Sequence, residues 1–412
     1  MHAEDVALTG IAEAVHTPFY CYSAATLRRH YEVFSRAFAD MPTLVCYAMK
    51  ANSNLAVLKI LAGLGAGMDV VSKGELLRAR AAGVPASKIT FSGVGKTAEE
   101  ISDALDEDIL CFNVESEPEL QAISQIATSK GRRARVALRV NPDVDARTHH
   151  KIATGKSENK FGIPISRARA VYREAARLSG IEVTGVDMHI GSQITDLAPF
   201  DSAFSLLADF VRELRLDGHT IDHIDLGGGL GIPYKEGEDP DHYHPERYAE
   251  VVRKHANSLG CTLVFEPGRL IVGNAGILVT QVIYVKRGEN KNFVIVDAAM
   301  NDLIRPTLYE AHHDVKPVVQ NRDSIEFVAD IVGPVCETGD FLAQSRRINE
   351  PVAGDLLAVM TAGAYGAVQA GTYNSRLLIP EVLVAGSDWA VVRPRPTYAD
   401  LIGLDRVPDW LQ

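Results

Sequence analysis

Short apolar runs alternate with amphipathic stretches from about residue 43 to about residue 270 of the chain. The runs have the length and composition of buried strands, and the stretches between them have helical periodicity. The predicted strands are Thr43–Tyr47, Met68–Val71, Ile89–Ser92, Leu110–Val114, Arg135–Val140, Val183–His189, Ile221–Leu226 and Thr262–Phe265. The predicted helices include Asn54–Leu64, Lys73–Ala82, Thr97–Asp106 and Ser116–Ser129. Eight strand-then-helix units predict an α/β fold of the parallel (β/α)8 TIM-barrel type.

Two of these helices begin with a hydroxyl residue that is followed three positions later by a glutamate. The pairs are Thr97 with Glu100 and Ser116 with Glu119. In a capping box the hydroxyl accepts a hydrogen bond from the third residue's N–H, and the glutamate accepts one from the capping residue's N–H. We therefore predict a capping box at each of these two helix starts.

The pattern changes after Gly268. Apolar runs are now joined by glycine, proline and polar turns, and few stretches have helical periodicity, which is typical of antiparallel β structure. The predicted strands are Ile277–Val285, Phe293–Val296, Ser324–Val332, Asp355–Met360 and Val382–Val392. We expect a barrel domain over residues 25–270 and a mostly antiparallel, β-sandwich-like domain over residues 271–412. Residues 1–24, which contain the apolar segment Thr17–Tyr22, are expected to add a strand to the second domain.

Composition and charge narrow the functional classes. The chain has 412 residues, which is too long for a single hydrophobic core of ordinary size. Its residues are 46% hydrophobic and 23% charged, as in ordinary globular proteins, and its net charge is -11. The negative charge argues against binding to nucleic acid and to anionic membrane surfaces. No stretch approaches the roughly 20 apolar residues that a membrane span needs. The N-terminal residues have no secretory pattern, so we expect a cytoplasmic protein that binds neither nucleic acid nor membrane.

The five cysteines have neither the number nor the spacing of a disulfide framework or a zinc site. Cys21, Cys46, Cys111 and Cys261 lie in apolar runs and are expected to be small core residues. Cys336 lies in a polar loop, where a thiol can donate or accept a proton, although an inert turn cysteine is the alternative. The histidine pairs His149-His150, His242/His244 and His312-His313 form no convincing ligand set, so no metal site is predicted.

Polar residues lie within or just after several of the predicted barrel strands, and (β/α)8 enzymes carry their active sites at the C-terminal ends of these strands. They are Lys50, Asp69, His189 with Ser192, the triplet Gly227-Gly228-Gly229, and Glu266-Pro267-Gly268-Arg269. A lysine in such a concave site can form a Schiff base with an aldehyde, whereas a lone strand-end lysine is more often a surface residue. The combination favours a catalytic role for Lys50.

Glycine-rich segments suggest phosphate binding without a nucleotide fold. The triplet Gly227–Gly229 lets backbone N–H groups approach an anion, although a tight turn is the alternative. A dinucleotide fingerprint is disfavoured because Ile232 occupies the position of its last glycine. The segment Gly93–Thr97 has the end of a P-loop, but Thr90 replaces the required first glycine, which argues against ATP.

Glu266 and His189 are the remaining candidates in the barrel. A carboxylate at the end of an apolar strand needs a partner, which could be Arg269 or the cationic ring nitrogen of a cofactor. His189 could stack on a planar ring or transfer protons, although a lone histidine is more often a satisfied core residue.

Taken together, these motifs resemble the fold-type III pyridoxal-phosphate-dependent amino-acid decarboxylases along nearly the whole chain. The matching segments are 47–52, 158–163, 189–193, 227–231, 266–269, 301–306 with Tyr309, 336–340 and 363–366. The segment Asn374–Leu378 departs from the family, which more often has a proline after the arginine. That departure is expected to touch a loop and no catalytic role.

The resemblance implies pyridoxal 5'-phosphate as cofactor and a role for each matching residue. Lys50 would hold the cofactor, His189 would stack on its ring and Glu266 would pair with its ring nitrogen; Cys336 would be the proton donor. Further cofactor-binding positions would be Asp69, Ser192, Gly227, Gly228, Gly229, Pro267, Gly268, Arg269 and Tyr365. Substrate-binding positions would be Arg269, Arg305, Tyr309, Glu337 and Tyr365.

The resemblance also implies a homodimer in which the Cys336-Glu337 loop reaches the partner's cofactor. It favours diaminopimelate as substrate over ornithine or arginine, because extra arginines suit a second carboxylate. Glu266 argues against an alanine-racemase-like isomerase, because a carboxylate opposite the ring nitrogen favours a cofactor that acts as a full electron sink. A catalytically inactive, partner-binding relative is disfavoured because Lys50, Glu266 and Cys336 are all present.

Overall fold

The computed structural model describes residues 1–146, 148–149, 151–155, 158–320 and 325–411. Two compact units make up the chain: a barrel unit, Arg28–Pro233 with Asp239–Ile271, and a β unit, Met1–Leu27 with Tyr234–Glu238 and Val272–Gln412. His150 and Ser324, which belong to a predicted histidine pair and a predicted strand, lie outside the described residues.

The barrel unit contains a closed parallel barrel of eight strands. Barrel strands one to eight are Thr43–Ala48, Gly67–Val70, Ile89–Phe91, Cys111–Val114, Ala134–Asn141, Ile181–Asp187, His223–Asp225 and Thr262–Phe265. Neighbours in this order pair in parallel, and strand eight closes the barrel by pairing with strand one, with Phe265 opposite Val45. The predicted (β/α)8 fold is therefore confirmed. A short additional strand, Ile163–Pro164, pairs with the end of strand five.

Helices cover the outer faces of the strands, and side chains that fill the barrel interior cover the inner faces. The bounds of the helices are Ala24–Ala37, Leu55–Gly63, Lys73–Ala81, Ala98–Glu107, Glu117–Ser129, Ile165–Ala175, Ala198–Leu216, Pro245–Ala256 and Arg269–Val272, with 3-10 turns at Met49–Ala51, Ala86–Lys88, Pro240–Tyr243 and Asn257–Leu259. All four residues of strand four are buried, for example. Burial on both faces explains why these strands are continuous apolar runs in the sequence.

Only one of the two predicted capping boxes forms. Thr97 accepts from the Glu100 N–H while the Glu100 side chain accepts from the Thr97 N–H. Ser116 accepts from the Glu119 N–H, but the Glu119 carboxylate instead accepts from the Glu115 N–H at 2.8 Å. The second prediction was wrong because Glu119 is drawn away by Lys96, whose ammonium lies 2.7 Å from its carboxylate.

The β unit is built on a mostly antiparallel sheet. Its strands are His2–Ala3, Val6–Ala7, Phe19–Ser23, Gly276–Lys286, Asn292–Val296, Val315–Pro317, Glu326–Val332, Phe341–Asn349, Leu356–Val359, Glu381–Ala385 and Asp388–Arg393. Its helices are Leu8–Val15, Arg305–Tyr309 and Tyr398–Ile402, with 3-10 turns at Ala367–Gln369, Tyr373–Ser375 and Asp409–Leu411. The N-terminal strand Phe19–Ser23 pairs antiparallel with Gly276–Lys286 and parallel with Glu381–Ala385.

The long predicted strand Val382–Val392 is in fact a hairpin. Glu381–Ala385 and Asp388–Arg393 pair antiparallel, and Gly386 makes the turn with a φ of +62°. The strand Phe341–Asn349 was not predicted, because its outer half is polar and exposed. The core beneath the sheet includes Leu8, Ile11, Phe19, Cys21, Val279, Val318, Ala358, Val382 and Val384. Among the described residues, no helix has both the length and the apolarity to span a membrane.

Candidate active site

Lys50 lies immediately after barrel strand one, in the 3-10 turn Met49–Ala51. This turn is anchored because the Ala48 N–H donates to the Pro267 carbonyl, at the end of strand eight, at 3.2 Å. The Lys50 side chain is 37% exposed, and its Nζ lies 3.5 Å from the Oδ2 of Asp69, whose side chain is fully buried. The amine is thus accessible while a buried carboxylate holds it near the ends of strands one and two.

Glu266 lies at the end of strand eight inside a polar network. Its Oε1 accepts a hydrogen bond from the Ser92 hydroxyl at 3.4 Å and from the Asn113 amide at 3.3 Å. The same Asn113 amide donates to Asp225 Oδ2 at 3.4 Å and to the Ser92 hydroxyl at 3.1 Å. Asn113 therefore links the two acids and sets the orientation of the Glu266 carboxylate.

The acids in this network crowd one another. Oxygens of Asp187, Asp225 and Glu266 lie within 4.8 Å of one another, and all three residues are buried. Burial raises the pKa of Asp225 to about 6. Burial, and then the charge of Asp225, raise the pKa of both Asp187 and Glu266. Such a cluster favours a nearby positive charge. The sequence prediction that the chain has no metal site stays a prediction.

His189 follows strand six with its ring held in one tautomer. The Gly228 N–H donates to its Nδ1 at 3.1 Å, so Nδ1 carries no proton and Nε2 does. Burial, and then the charges of Arg139 and Lys50, lower the pKa of His189 well below its usual range. Its backbone carbonyl accepts from the Thr154 hydroxyl at 2.9 Å. His189 is therefore a neutral, fixed aromatic ring.

The glycine triplet is required sterically. Gly227 and Gly229 have φ values of +64° and +106°, and a Cβ at Gly228 would lie 2.2 Å from the Glu266 carbonyl oxygen. Two of the three N–H groups are used internally, since Gly227 donates to Asp225 Oδ1 at 2.9 Å and Gly228 donates to His189. The Gly229 N–H has no acceptor in the described part of the chain, so the triplet can offer this N–H to an anion.

Arg269 and Ser192 meet beside the triplet. An Nη of the buried Arg269 donates to the Ser192 hydroxyl at 2.9 Å. Between Glu266 and Arg269, the chain is tightly packed, because a Cβ at Gly268 would lie 3.0 Å from the Ala51 Cβ. Asp69 thus lies within strand two, and the other residues predicted in the barrel follow strands one, six, seven and eight of the same barrel.

The remaining predicted residues belong to the β unit. Cys336 and Glu337 are exposed, whereas the other four cysteines are buried as predicted. The Cys336 N–H donates to the Asn374 side chain at 2.9 Å, and the Asp340 carboxylate accepts from the Val335 N–H at 2.6 Å. These bonds hold the loop in a defined conformation with the thiol presented to solvent.

Arg305 and Tyr309 begin and end the helix Arg305–Tyr309. Arg305 is buried, and its guanidinium lies over the Tyr234 ring, 4.7 Å from the centroid. Tyr365 is half-buried in a loop with a φ of +57°. A non-glycine residue in this region is a strained conformation of the kind that collects at functional sites.

Comparison with known proteins agrees with this geometry. Residues 24–273 match the family model described as the pyridoxal binding domain of pyridoxal-dependent decarboxylases. Diaminopimelate decarboxylases of Pseudomonas aeruginosa and Haemophilus influenzae are 52% and 48% identical over 97% and 98% of this chain, and the matches cover 95% and 97% of those proteins. The chain belongs to the pyridoxal-dependent decarboxylases.

Solved structures of the family have the same fold. Diaminopimelate decarboxylase from Helicobacter pylori, complexed with L-lysine, aligns with a TM-score of 0.93 at 40% identity, covering 96% of this chain and 98% of that one. The enzyme from M. jannaschii, also in complex with L-lysine, aligns with a TM-score of 0.91 at 37% identity, covering 98% of this chain and 95% of that one.

The barrel residues fit the family's cofactor, pyridoxal phosphate. Asp69, Glu115, Asp187, Asp225 and Glu266 are buried, and the three cations Lys50, Arg139 and Arg269 are too few to balance these five acids. Asp187 Oδ1 has no hydrogen-bond partner in the described part of the chain. A cationic ring nitrogen would relieve this imbalance, and the Gly229 N–H would suit a phosphate. Lys50 offers an accessible amine for the aldehyde.

The sequence reasoning missed residues that position this site. Arg139 donates to the Glu115 carboxylate at 2.7 Å and to the His189 carbonyl at 3.4 Å, and the same carboxylate accepts the Gly162 N–H at 2.8 Å. Asn113 bridges the acid network. The sequence did contain a signal for Arg139 and Asn113, since each is a polar residue inside an otherwise apolar strand. A polar side chain in such a strand must face a hydrogen-bonding partner, in the barrel interior or on a neighbouring element.

Proposed function

We propose that this chain decarboxylates meso-2,6-diaminopimelate to L-lysine and CO₂, the last step of lysine biosynthesis. The observation that carries the proposal is the full-length similarity to diaminopimelate decarboxylases in a chain that places an accessible Lys50 beside a buried acid network. When bound, pyridoxal phosphate supplies an electron sink for the electron pair that the departing carboxylate leaves behind.

The barrel residues would hold and tune that sink. Lys50 would hold the aldehyde carbon. Glu266 would keep a proton at the ring nitrogen, oriented by Asn113 and Ser92. The neutral His189 ring would pack on the cofactor without adding positive charge, because the Gly228 N–H fixes its tautomer.

Other barrel residues would hold the cofactor's phosphate. The Gly229 N–H and the Ser192 hydroxyl would donate to it, and the backbone of Gly268 would contact it. The absence of a Cβ at Gly268 lets this segment pack against Ala48 and Ala51. Arg269 would orient Ser192 through its hydrogen bond.

The β unit would supply the proton and the contacts that select the substrate. Cys336 would return a proton to the α-carbon from its exposed, well-anchored loop. Arg305 and Tyr309 would bind the distal carboxylate, Glu337 would bind the distal amino group, and Tyr365 would contact cofactor and substrate. Diaminopimelate fits this set because its far end carries both charges.

We also propose that the enzyme is a cytoplasmic homodimer with shared active sites. Cys336 and Glu337 of one copy would act with Lys50 of the other. Exposure of both residues on the β unit leaves them available to a second copy, and a two-fold axis would complete both sites at once.

The cofactor assignment is tested by spectroscopy and labelling. The purified protein should be yellow, and borohydride should bleach the band and attach a pyridoxyl group to Lys50, as found by peptide mapping. Labelling of another lysine would overturn the role of Lys50. A colourless protein that does not bind added pyridoxal phosphate would overturn the proposed function itself.

The substrate assignment is tested by CO₂ release from a panel of amino acids. We expect release from meso-diaminopimelate and little from ornithine, arginine or lysine. Ornithine, arginine and lysine lack the distal carboxylate and so would forgo the ion pair with the buried Arg305, which lowers kcat/KM by orders of magnitude. Comparable rates with ornithine would overturn the substrate while leaving the reaction type intact.

The shared site is tested by complementation between Lys50→Ala and Cys336→Ala, each nearly inactive alone. In a hybrid dimer with shared sites, one site carries both lesions and the other carries neither. Random exchange should restore up to about a quarter of wild-type activity, because about half the dimers are hybrids with one good site. Absence of activity despite demonstrated subunit exchange would refute sharing.

A further inference from the structure

His313 lies at the centre of a buried cluster in the β unit. It is fully buried, whereas its neighbour His312 is partly exposed and pairs with Asp314 at 2.7 Å. The Nε2 of His313 lies 2.8 Å from an Nη of Arg305, and its Nδ1 lies 2.8 Å from the Met360 carbonyl oxygen.

The chemistry of these two neighbours determines the protonation of the ring. An arginine guanidinium can only donate a hydrogen bond, and a backbone carbonyl can only accept one. Nε2 must therefore accept from Arg305, and Nδ1 must carry the proton and donate to Met360. His313 is a neutral histidine with its single proton on Nδ1, because a second proton on Nε2 would face the Arg305 donor.

Arg305 is held on a second side by an aromatic ring. The Tyr234 ring stacks on the guanidinium, 4.7 Å from its centroid, and meets the His313 ring edge-to-face at 5.3 Å between centroids. A guanidinium presents its donors in a rigid planar fork, so fixing one Nη and the plane fixes the direction of the other N–H groups.

We propose that His313 is a positioning residue for substrate selection: it accepts a hydrogen bond from Arg305 and so aims that guanidinium at the distal carboxylate of the substrate. This inference rests on the proposed function, in which Arg305 binds that carboxylate. His313 touches neither substrate nor cofactor in this role and acts through Arg305.

The test uses two amide substitutions at His313. One can keep the hydrogen bond with Arg305, and the other can keep the hydrogen bond with Met360. In His313→Gln the terminal oxygen can replace Nε2 and accept from Arg305. In His313→Asn the shorter amide can replace Nδ1 and donate to Met360, but it cannot reach Arg305. Both variants remove the ring and retain an amide, so they are matched controls, and Arg305→Gln gives the effect of losing the guanidinium.

The holoenzymes are compared by steady-state kinetics with meso-diaminopimelate and by thermal unfolding. We expect His313→Asn to raise KM about tenfold to a hundredfold over wild type, the worth of a hydrogen bond to a charged group, and to change kcat little. His313→Gln should stay within about threefold of wild type. A KM that is equal in the two variants, or a loss confined to kcat, overturns the proposal.

A second measurement does not depend on turnover. In protein labelled with ¹⁵N-histidine, the His313 signals are assigned by their absence from the His313→Gln spectrum. We expect a neutral ring at neutral pH, protonated at Nδ1 and unprotonated at Nε2. A proton on Nε2 overturns the inference whatever the enzyme decarboxylates, whereas failure of wild type to release CO₂ from diaminopimelate overturns the proposed function.

Discussion

Replacing Lys96 with methionine removes a buried ammonium group from the barrel unit. The Lys96 side chain is 1% exposed. Its Nζ donates to the carbonyls of Gly93 and Asn113, each at 2.8 Å, and to the Glu119 carboxylate at 2.7 Å. This lysine belongs to the segment that resembles the end of a P-loop, and its contacts show that it ties strands three and four to the following helix.

The loss of stability follows from the polar groups that the substitution leaves without a partner. Methionine fills a similar volume but leaves two carbonyls without this donor and a buried carboxylate without its cation. Removing one partner of a buried ion pair costs about 3–5 kcal/mol, a large part of a typical free energy of unfolding of about 5–15 kcal/mol. We expect Lys96→Met to lower the free energy of unfolding by about 4 kcal/mol.

The loss should depend on pH. Burial raises the pKa of Glu119, and the charge of Lys96 partly offsets this, so the pKa rises further in Lys96→Met. The folded state then binds a proton that the unfolded state, with a glutamate pKa near 4.3, has released. Between the glutamate pKa of the unfolded state and the raised pKa of Glu119 in the folded variant, the free energy of unfolding therefore falls as pH rises, by up to about 1.4 kcal/mol per pH unit. The defect should be smaller near pH 5 than near pH 8.

The assay must report on the barrel. Trp389 and Trp410 both belong to the β unit, so tryptophan emission is unsuitable, and urea unfolding should be followed by far-UV circular dichroism and cofactor absorbance. Lys73→Met, which removes exposed ion pairs with Glu99 and Asp103, is the matched control and should have little effect. The double variant with Glu119→Gln should lose the pH dependence. A Lys96→Met defect below about 1 kcal/mol, or one that is independent of pH, would refute the reasoning, since a buried pair costs more.

Three further predictions concern the caps and the site. Gly228→Ala should lower cofactor content and activity and cost about 1–3 kcal/mol in unfolding, because its Cβ would lie 2.2 Å from the Glu266 carbonyl; normal cofactor absorbance would contradict this. Thr97→Ala removes a helix cap and should therefore lower the free energy of unfolding in urea by about 1 kcal/mol without changing the activity; a parallel fall in activity would contradict this prediction. Burial raises the pKa of Asp225 to about 6, so its ionisation opposes folding above that pH. Asp225→Asn removes this charge and should therefore shift the free energy of unfolding of the cofactor-free protein more favourably above pH 6 than below about pH 4; an equal shift at both pH values would exclude this cause.

The departure from the family pattern has a structural consequence that the sequence did not indicate. The segment Asn374–Leu378 was expected to touch only a loop. In the structure the Asn374 side chain accepts the Cys336 N–H, and an Nη of Arg376 donates to the Asp297 carbonyl at 2.6 Å. This segment therefore supports the loop of the predicted proton donor, 38 residues away in the chain.

Local sequence determined the elements of the barrel. A strand buried on both faces must be a continuous apolar run, and a helix that covers it must be amphipathic, so both periodicities are visible without any long-range information. The strand ends, and with them Lys50, His189 and Glu266, followed from the same pattern. Where the pattern is interrupted locally, as at Gly386, it failed, because a two-residue turn within one apolar run leaves little trace.

Only the tertiary structure decided which polar groups meet. Glu119 has the spacing of a capping residue but pairs with Lys96, which lies 23 residues earlier, and Asn113 joins two acids from other strands. The tautomer of His189 depends on the N–H of Gly228, 39 residues away. That of His313 depends on Arg305, eight residues earlier, and on the carbonyl of Met360, 47 residues later. A side chain's own type states what it can donate or accept, but its partner is chosen by the closure of the barrel and the sheet, which brings distant strands within hydrogen-bonding distance and excludes the water that would otherwise compete.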